Sequence, residues 1–469
     1  MKKQYDLAVI GGGPAGYEAA IRASQLGLSA ALIESREMGG TCLNRGCIPA
    51  KAILHAAGLY RQAAHFGELG LSADGLSFDF GAVLRRKNEV VAGLRGGIES
   101  LLRANGVDCF RGRGVLQNAG LAAVAGESGT EEIRAGRILL AAGCTPAVPP
   151  IPGADLPGVV TSDGLLDLTS FPRRLAIIGG GVIGIEFATA FSDFGCEVTV
   201  LEAMPRILPP MDREISQNLS MILKRRGVGI HTASRVEKIE KSAPLSLVFT
   251  EKEERKTVDA DCVLIAVGRR PDTSNLFAPG LDIKMEKGFL STDRHHETSL
   301  PGVFAAGDVT GGIQLAHAAA AQGIEAVEYL AGGTEPNRPR TVPACVYTSP
   351  EIACAGLSAD EAKRRGIAVT VGKSLTATLG KAAVEQSERG FVKLVFEKES
   401  GALLGAQMMC GRATDLIAEL VQAIDRRMTA RELAAVIRPH PTFSEAVTEA
   451  AADALGGAIH AMPRRKRPS

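Results

Sequence analysis

The sequence predicts an α/β protein in which a βαβ unit occurs twice, followed by an α+β C-terminal domain, and three observations carry that prediction. A β-rich run, a glycine triplet and an Ala-rich helical segment follow one another at residues 5–34, and again at residues 173–206. Glycine reaches 54 of 469 residues, a load that suits many tight strand-to-helix turns. From near residue 340 onward, strands are followed by Ala-rich helices with no glycine triplet, so a different architecture begins there.

The first unit reads "YDLAVIGGGPAGYEAAIRASQLGLSAALIE". Gly11, Gly13 and Gly16 fall on the G-x-G-x-x-G spacing: the first allows the tight turn, the second lets a pyrophosphate approach the backbone, and the third lets helix and strand pack closely. Glu34 stands at the end of the next strand, where a carboxylate can accept ribose hydroxyls. A glycine-rich turn without a ligand is the blander reading. The ordered set of strand, triplet, helix and terminal acid favours dinucleotide binding. The second unit, "RRLAIIGGGVIGIEFATAFSDFGCEVTVLEAMPR", repeats the pattern with Gly179, Gly181, Gly184 and Glu202. A terminal carboxylate bonds the 2′-hydroxyl of NAD and repels the 2′-phosphate of NADP, so NAD is the cofactor expected there. Arg206 is a counter-signal, because an arginine can accommodate that phosphate; it is expected at the surface instead.

Two further β-runs, "RILLAAGCTPAVPPIPG" and "CVLIAVGRRPDTSNL", each end in Gly and a Pro-containing stretch and read as crossings between domains. In "GVFAAGDVTGG", Asp308 follows an apolar strand and precedes a helical stretch. Lys plus Arg (53) nearly cancels Asp plus Glu (52), which leaves no basic field for nucleic acid or an anionic membrane. The N-terminus carries Asp6 and an early glycine run where a signal peptide needs an unbroken apolar stretch, and no span of about 18 apolar residues occurs. A cytoplasmic location is expected, in which nine irregularly spaced cysteines stay mostly as thiols.

Against that background "GGTCLNRGCIPAKAIL" places Cys42 and Cys47 five positions apart. They could form a zinc half-site, a structural bridge or a redox pair. No second Cys or Cys/His pair has ligand spacing, which weighs against zinc. A distorted helical turn would bring the sulfurs into bonding range, and Lys51, four residues beyond Cys47, would share a face with it and favour a thiolate. Among eight histidines, His440 in "IRPHPTFSEAVTEAA" has the context of a base: prolines on both sides restrict it, and Glu445 can hold one ring nitrogen while the other faces a substrate. His317 and the His295-His296 pair read as structural or surface residues.

Two nucleotide fingerprints, the C-x-x-x-x-C segment and Asp308 in this order make the chain similar to the pyridine nucleotide-disulfide oxidoreductases along nearly its whole length, with its nearest resemblance to the branch that oxidises dihydrolipoamide. The resemblance implies FAD on the first fingerprint, with Gly143, Lys51 and Asp308 contributing, and NAD on the second, with Gly268 contributing. It implies Cys47 as the sulfur on the flavin side, Cys42 as the one that exchanges with substrate, and a pairing of Lys51 with Glu186. His440 and Glu445 match the family's His-Pro-Thr-x-x-Glu motif, which serves the disulfide of the other subunit in a homodimer. The implied domains are 1–148 (FAD and disulfide), 149–272 (NAD), 273–340 (completing the FAD site) and 341–469 (dimerisation). The implied reaction is oxidation of dihydrolipoamide, carried on the lipoyl domain of a 2-oxoacid dehydrogenase complex or on a glycine cleavage carrier, with reduction of NAD.

Within the family, Glu202 opposes the NADP-dependent glutathione type, and Val182 stands where that type places a tyrosine. Mercuric and large thioredoxin reductases need a C-terminal cysteine pair, whereas the last cysteine is Cys410; NADH oxidases and coenzyme A disulfide reductases use one cysteine where this chain has two. A silent flavoprotein acting as a structural subunit should have lost at least one of Cys42, Cys47, His440 or Glu445. Two departures stand out: Arg438 and Pro439 precede His440 where relatives often carry His-Ala, and "AAGCTP" replaces the usual Ala-Thr-Gly, which should affect packing only. The tail "PRRKR" reads as a solvated end or a dock for an acidic partner.

Overall fold

The computed structural model describes residues 3–126, 129–333 and 341–462; the basic stretch at 463–467 lies outside them. The chain divides into two compact units, one drawn from residues 1–150, 154–172 and 263–339, the other from residues 151–153, 173–262 and 340–469.

The first unit is built on a seven-stranded sheet. Its central strand, Gln4–Ile10, pairs in parallel with Ala30–Glu34 on one side and with Gly129–Leu140 on the other. Val303–Ala305 also joins Gly129–Leu140 in parallel, and the meander through Leu121–Gly126 and Arg113–Asn118 closes that side. Residues 7–10 are buried on both faces, as an apolar run in a covered parallel sheet must be. Alternation along the strand sends Leu7 and Val9 toward the Pro14–Gln25 helix with Ala19, Ala20 and Ala23, and sends Ala8 and Ile10 toward the layer containing Leu116, Val124 and Ile133. Each large side chain so enclosed contributes ~1.5–3 kcal/mol. Alanines line the helix face because a small side chain lets the helix lie close on the sheet.

The second unit repeats the parallel arrangement in Arg174–Ile178, Glu197–Glu202 and Gly229–Thr232. It then adds a five-stranded antiparallel sheet in the order Ala344–Val346, Glu351–Gly356, Leu403–Cys410, Phe391–Glu397, Val369–Leu375. The Ala413–Asp425 and Glu445–Ala454 helices cover one face, packing Ile417, Leu420 and Val447 against Leu394, Phe396 and Met408. This is the α+β C-terminal architecture that the sequence predicts. The two stretches read as crossings also meet: Cys144–Pro146 pairs antiparallel with Arg269–Pro271.

Candidate active site

The two glycine triplets adopt one geometry. Gly11 has φ +115° and Gly179 φ +111°, values a side chain resists. A Cβ on Gly16 would lie 1.8 Å from Gly11 O, and one on Gly184 would lie 2.0 Å from Gly179 O. The third glycine of each triplet is therefore what lets the helix start against the strand. Gly184→Ala should raise the KM for NAD at least ~10-fold, a change that needs only ~1.4 kcal/mol of lost contact, while bound FAD stays at the wild-type level. Steady-state kinetics and flavin absorbance check the two halves of that statement.

Gly13 and Gly181 cap their helices with φ −73° and ψ near 180°, without a side-chain cap and without an acidic residue in the first turn. The helix N–H groups and the positive end of the dipole are thus left to an external anion. Space for one exists, since a Cβ at Gly13 would meet only Gly40 Cα at 3.8 Å and one at Gly181 would meet nothing within 4 Å. At the strand ends, Glu34 Oε2 accepts from Gly12 N (2.7 Å) and Oε1 from Arg36 N (2.7 Å). Glu202 does the same with Gly180 N (2.6 Å) and Met204 N (2.6 Å). Both carboxylates are oriented by backbone and keep further lone pairs for ribose hydroxyls. These cradles fit the dinucleotide portions of FAD and NAD. Arg206, expected at the surface, is half-buried instead, and its guanidinium turns back onto Pro209 O (2.7 Å).

Cys42 and Cys47 straddle a break between two helices. Gly40–Arg45 ends at Gly46, whose φ and ψ (−143°, −110°) are not helical, and Cys47 opens the long helix Cys47–Ala64. Asn44 locks the short helix by donating to Met38 O (2.9 Å) and Gly40 O (3.0 Å), and Arg45 pairs with Glu37 (2.6 Å). The break folds the second sulfur back toward the first: the thiols are within hydrogen-bonding reach, and this contact, followed by burial, pushes the Cys42 thiol far up while Lys51 opposes the rise. The helical segment puts Lys51 one turn beyond Cys47, as its spacing predicts.

Asp308 follows the Val303–Ala305 strand, and burial pushes its carboxyl up against the opposing charge of Arg269. A contact that the sequence did not disclose fixes its backbone: the Cys144 thiol donates to Asp308 O (3.3 Å) and accepts from Gln314 Nε2 (3.1 Å). Gly143 and Gly268 flank the antiparallel crossing, with Gly143 O accepting from Asp272 N (3.1 Å) and Gly268 O from Ala147 N (2.9 Å). In the second unit, Glu186 is buried on the Val182–Asp193 helix, and its Oε1 accepts from Tyr347 N (3.0 Å). That partner also was invisible in the sequence, being a backbone group 161 positions away.

The C-terminal motif is assembled within one turn. His440 is exposed, and its Nδ1 lies 2.9 Å from Glu445 Oε1; Glu445 Oε2 accepts from Thr442 N (2.9 Å). Burial pushes the Glu445 carboxyl up, but the bonds from His440 and Thr442 outweigh it and hold the group below its ordinary range. With Nδ1 on Glu445 and the ring exposed, Nε2 is the nitrogen left for a substrate. Elsewhere His295 stacks on Tyr329 at 4.1 Å, His296 faces Glu325 at 3.5 Å, and His317 is exposed. Among the described residues no group of three or more His, Cys, Asp or Glu could hold a metal, and no helix is long and apolar enough to cross a membrane.

Comparison with known proteins agrees with this geometry. Residues 5–323 match the model of the pyridine nucleotide-disulphide oxidoreductases and residues 342–451 the dimerisation domain of the same proteins. A dihydrolipoyl dehydrogenase of Bacillus subtilis is 38% identical over 98% of this chain and 100% of its own, and one of Chlamydia muridarum is 39% identical over 99% and 100%. Among solved structures, the HOCl-induced flavoprotein disulfide reductase RclA from Escherichia coli superposes with a TM-score of 0.85 at 31% identity, and LpdA from Mycobacterium tuberculosis with 0.88 at 29%; each covers 96% of this chain and 99% of its own. Two matching cradles, a cysteine pair at a helix break, a histidine-carboxylate turn and full-length relatives converge, and the chain belongs to the pyridine nucleotide-disulfide oxidoreductases.

Proposed function

We propose that the protein is a dihydrolipoyl dehydrogenase, a flavoenzyme with FAD and NAD as cofactors. The observation that carries the reading is the pair of helix-break cysteines, Cys42 and Cys47, together with an exposed histidine, His440, whose Nδ1 is held by Glu445. One thiolate of dihydrolipoamide attacks Cys42 of the Cys42–Cys47 disulfide, breaking that S–S bond and forming a mixed disulfide. His440 takes the thiol proton, and Glu445 stabilises the resulting imidazolium through Nδ1. The second substrate sulfur then displaces Cys42, closing the lipoamide disulfide and leaving the enzyme with two reduced sulfurs. Cys42, displaced as a thiolate, takes the proton from the His440 imidazolium, because its contact with Cys47 and its burial oppose ionisation. The thiolate therefore sits on Cys47, at the positive end of its helix and one turn from Lys51. Gly11, Gly13, Gly16, Glu34 and Asp308 would hold FAD, and Gly179, Gly181, Gly184 and Glu202 would hold NAD; once bound, the pair would supply the hydride chemistry.

The physiological donor is a lipoyl group on a carrier protein domain, the enzyme works as a homodimer through its dimerisation domain, and its compartment is the cytoplasm. Anaerobic titration of the purified yellow protein with dihydrolipoamide, followed by NAD, tests the reading: the first should bring up the long-wavelength absorbance of a thiolate beside the flavin, and the second should remove it with formation of NADH. A spectrum that stays unchanged under excess dihydrolipoamide sinks it. The likeness to RclA favours a second reading, reduction of another disulfide at the expense of a reduced nicotinamide; a change of the flavin spectrum with NADH but none with dihydrolipoamide selects it.

Glu202 makes a further expectation quantitative. NAD should exceed NADP at least ~10-fold in kcat/KM, and Glu202→Ala should narrow the gap, because each ribose hydrogen bond to an ionised acceptor is worth ~1.5–3 kcal/mol. Measuring both cofactors at one ionic strength checks this, and equal use of NADP by the wild type removes the assignment.

A further inference from the structure

Arg438 stands two residues before His440, and the structure shows where its side chain goes. Its side chain is 4% exposed, so its terminal nitrogens find their partners inside the protein. Nη1 donates to Leu433 O (3.1 Å), Val436 O (3.4 Å) and Thr448 Oγ1 (2.6 Å), and Nη2 donates to the Glu419 carboxylate. These acceptors belong to separate elements: the Ala430–Ala434 helix and the residues just past it, the Ala413–Asp425 helix, and the Glu445–Ala454 helix. The last is decisive, since Thr448 lies one turn beyond Glu445, the carboxylate that holds His440. The two terminal nitrogens of one planar guanidinium reach all of these acceptors at once, while its buried Nε makes no hydrogen bond. Pro439, between the clamp and the histidine, restricts the backbone, and its carbonyl accepts from Thr442 Oγ1 (2.8 Å).

We propose that Arg438 is a positioning residue for His440, fixing the segment that carries the imidazole to the helix that carries Glu445. The inference rests on the reading of His440 as the base. Without the clamp, the His440–Glu445 contact is made only part of the time, and each turnover starts from a smaller fraction of correctly aimed imidazole. The loss therefore falls on kcat and leaves the KM for the dithiol nearly unchanged.

The test compares Arg438→Met, Arg438→Lys, Thr448→Val and His440→Gln, with kcat expressed per bound FAD so that loss of folded protein is divided out. Arg438→Met should lower kcat for dihydrolipoamide roughly 10- to 100-fold, the scale that misplacement of a catalytic group produces, with KM held within about twofold. Arg438→Lys, which can satisfy some of the acceptors but not all, should fall between it and wild type, and Thr448→Val, which removes a single acceptor, should lose about threefold. Wild-type kcat per flavin in Arg438→Met overturns the proposal. If that variant does not fold, wild-type kcat in both Arg438→Lys and Thr448→Val overturns it equally. His440→Gln separates the two levels: if it is inactive while the Arg438 variants are unimpaired, only the positioning role fails; if it is fully active, the base and its positioning residue fail together.

Discussion

Cys42→Ser and Cys47→Ser should each lower dihydrolipoamide oxidation by at least ~10⁴-fold, the scale seen when a covalent nucleophile is removed, while the folded protein keeps its FAD. Neither serine can form the disulfide that accepts the electron pair, and neither cysteine takes part in the glycine cradle that holds the cofactor. The two variants should still differ from each other. In the structure Cys47 heads its helix one turn from Lys51, and the contact with Cys47, followed by burial, pushes the Cys42 thiol up. With Cys42 replaced, Cys47 has no partner sulfur and should give, without any reductant, the long-wavelength absorbance of a thiolate beside an oxidised flavin. With Cys47 replaced, that band should be absent. Absorbance spectra of the two purified variants decide it, and the band in Cys47→Ser alone reverses the assigned roles.

His440→Gln should cost ~10²- to 10⁴-fold in dihydrolipoamide oxidation, the range of a general base, because the glutamine can reach Glu445 but cannot carry a proton. The same variant reports which chain supplies the base. We propose that each site combines Cys42 and Cys47 of one chain with His440 and Glu445 of the other, as the family motif implies. Mixing Cys47→Ser with His440→Gln under subunit exchange then gives heterodimers with one intact and one doubly broken site. Random pairing makes half the dimers mixed, so about a quarter of wild-type activity should return. Mass spectrometry confirms the exchange; activity that stays near zero after it means that base and disulfide come from the same chain.

Much of the candidate site was legible because its parts are local. Each nucleotide cradle lies within about one βαβ unit, and the residue types at fixed offsets are dictated by backbone sterics: no side chain fits at Gly16 or Gly184, and a strand end is where a carboxylate meets a ribose. The same holds for Cys42, Cys47 and Lys51, which share one broken helix, and for His440 and Glu445, which share one turn. The α/β and α+β character was legible for a similar reason, since apolar runs and glycine turns follow the period of each element.

What the sequence alone could not decide is every contact between residues distant along the chain. Tyr347 N on Glu186, the Cys144 thiol on Asp308 O, and the outcome at Arg206, which turns onto its own loop, depend on which segments the tertiary packing brings together and in what orientation. Arg438 marks the boundary most sharply. As a sequence feature it was only a departure from a motif, because nothing in "IRPHPT" says whether a long cation points to water or inward. Burial between three helices decided it: once the guanidinium lost water, it had to find the Leu433 carbonyl, Thr448 and Glu419, and in doing so it tied the segment of His440 to the helix of Glu445.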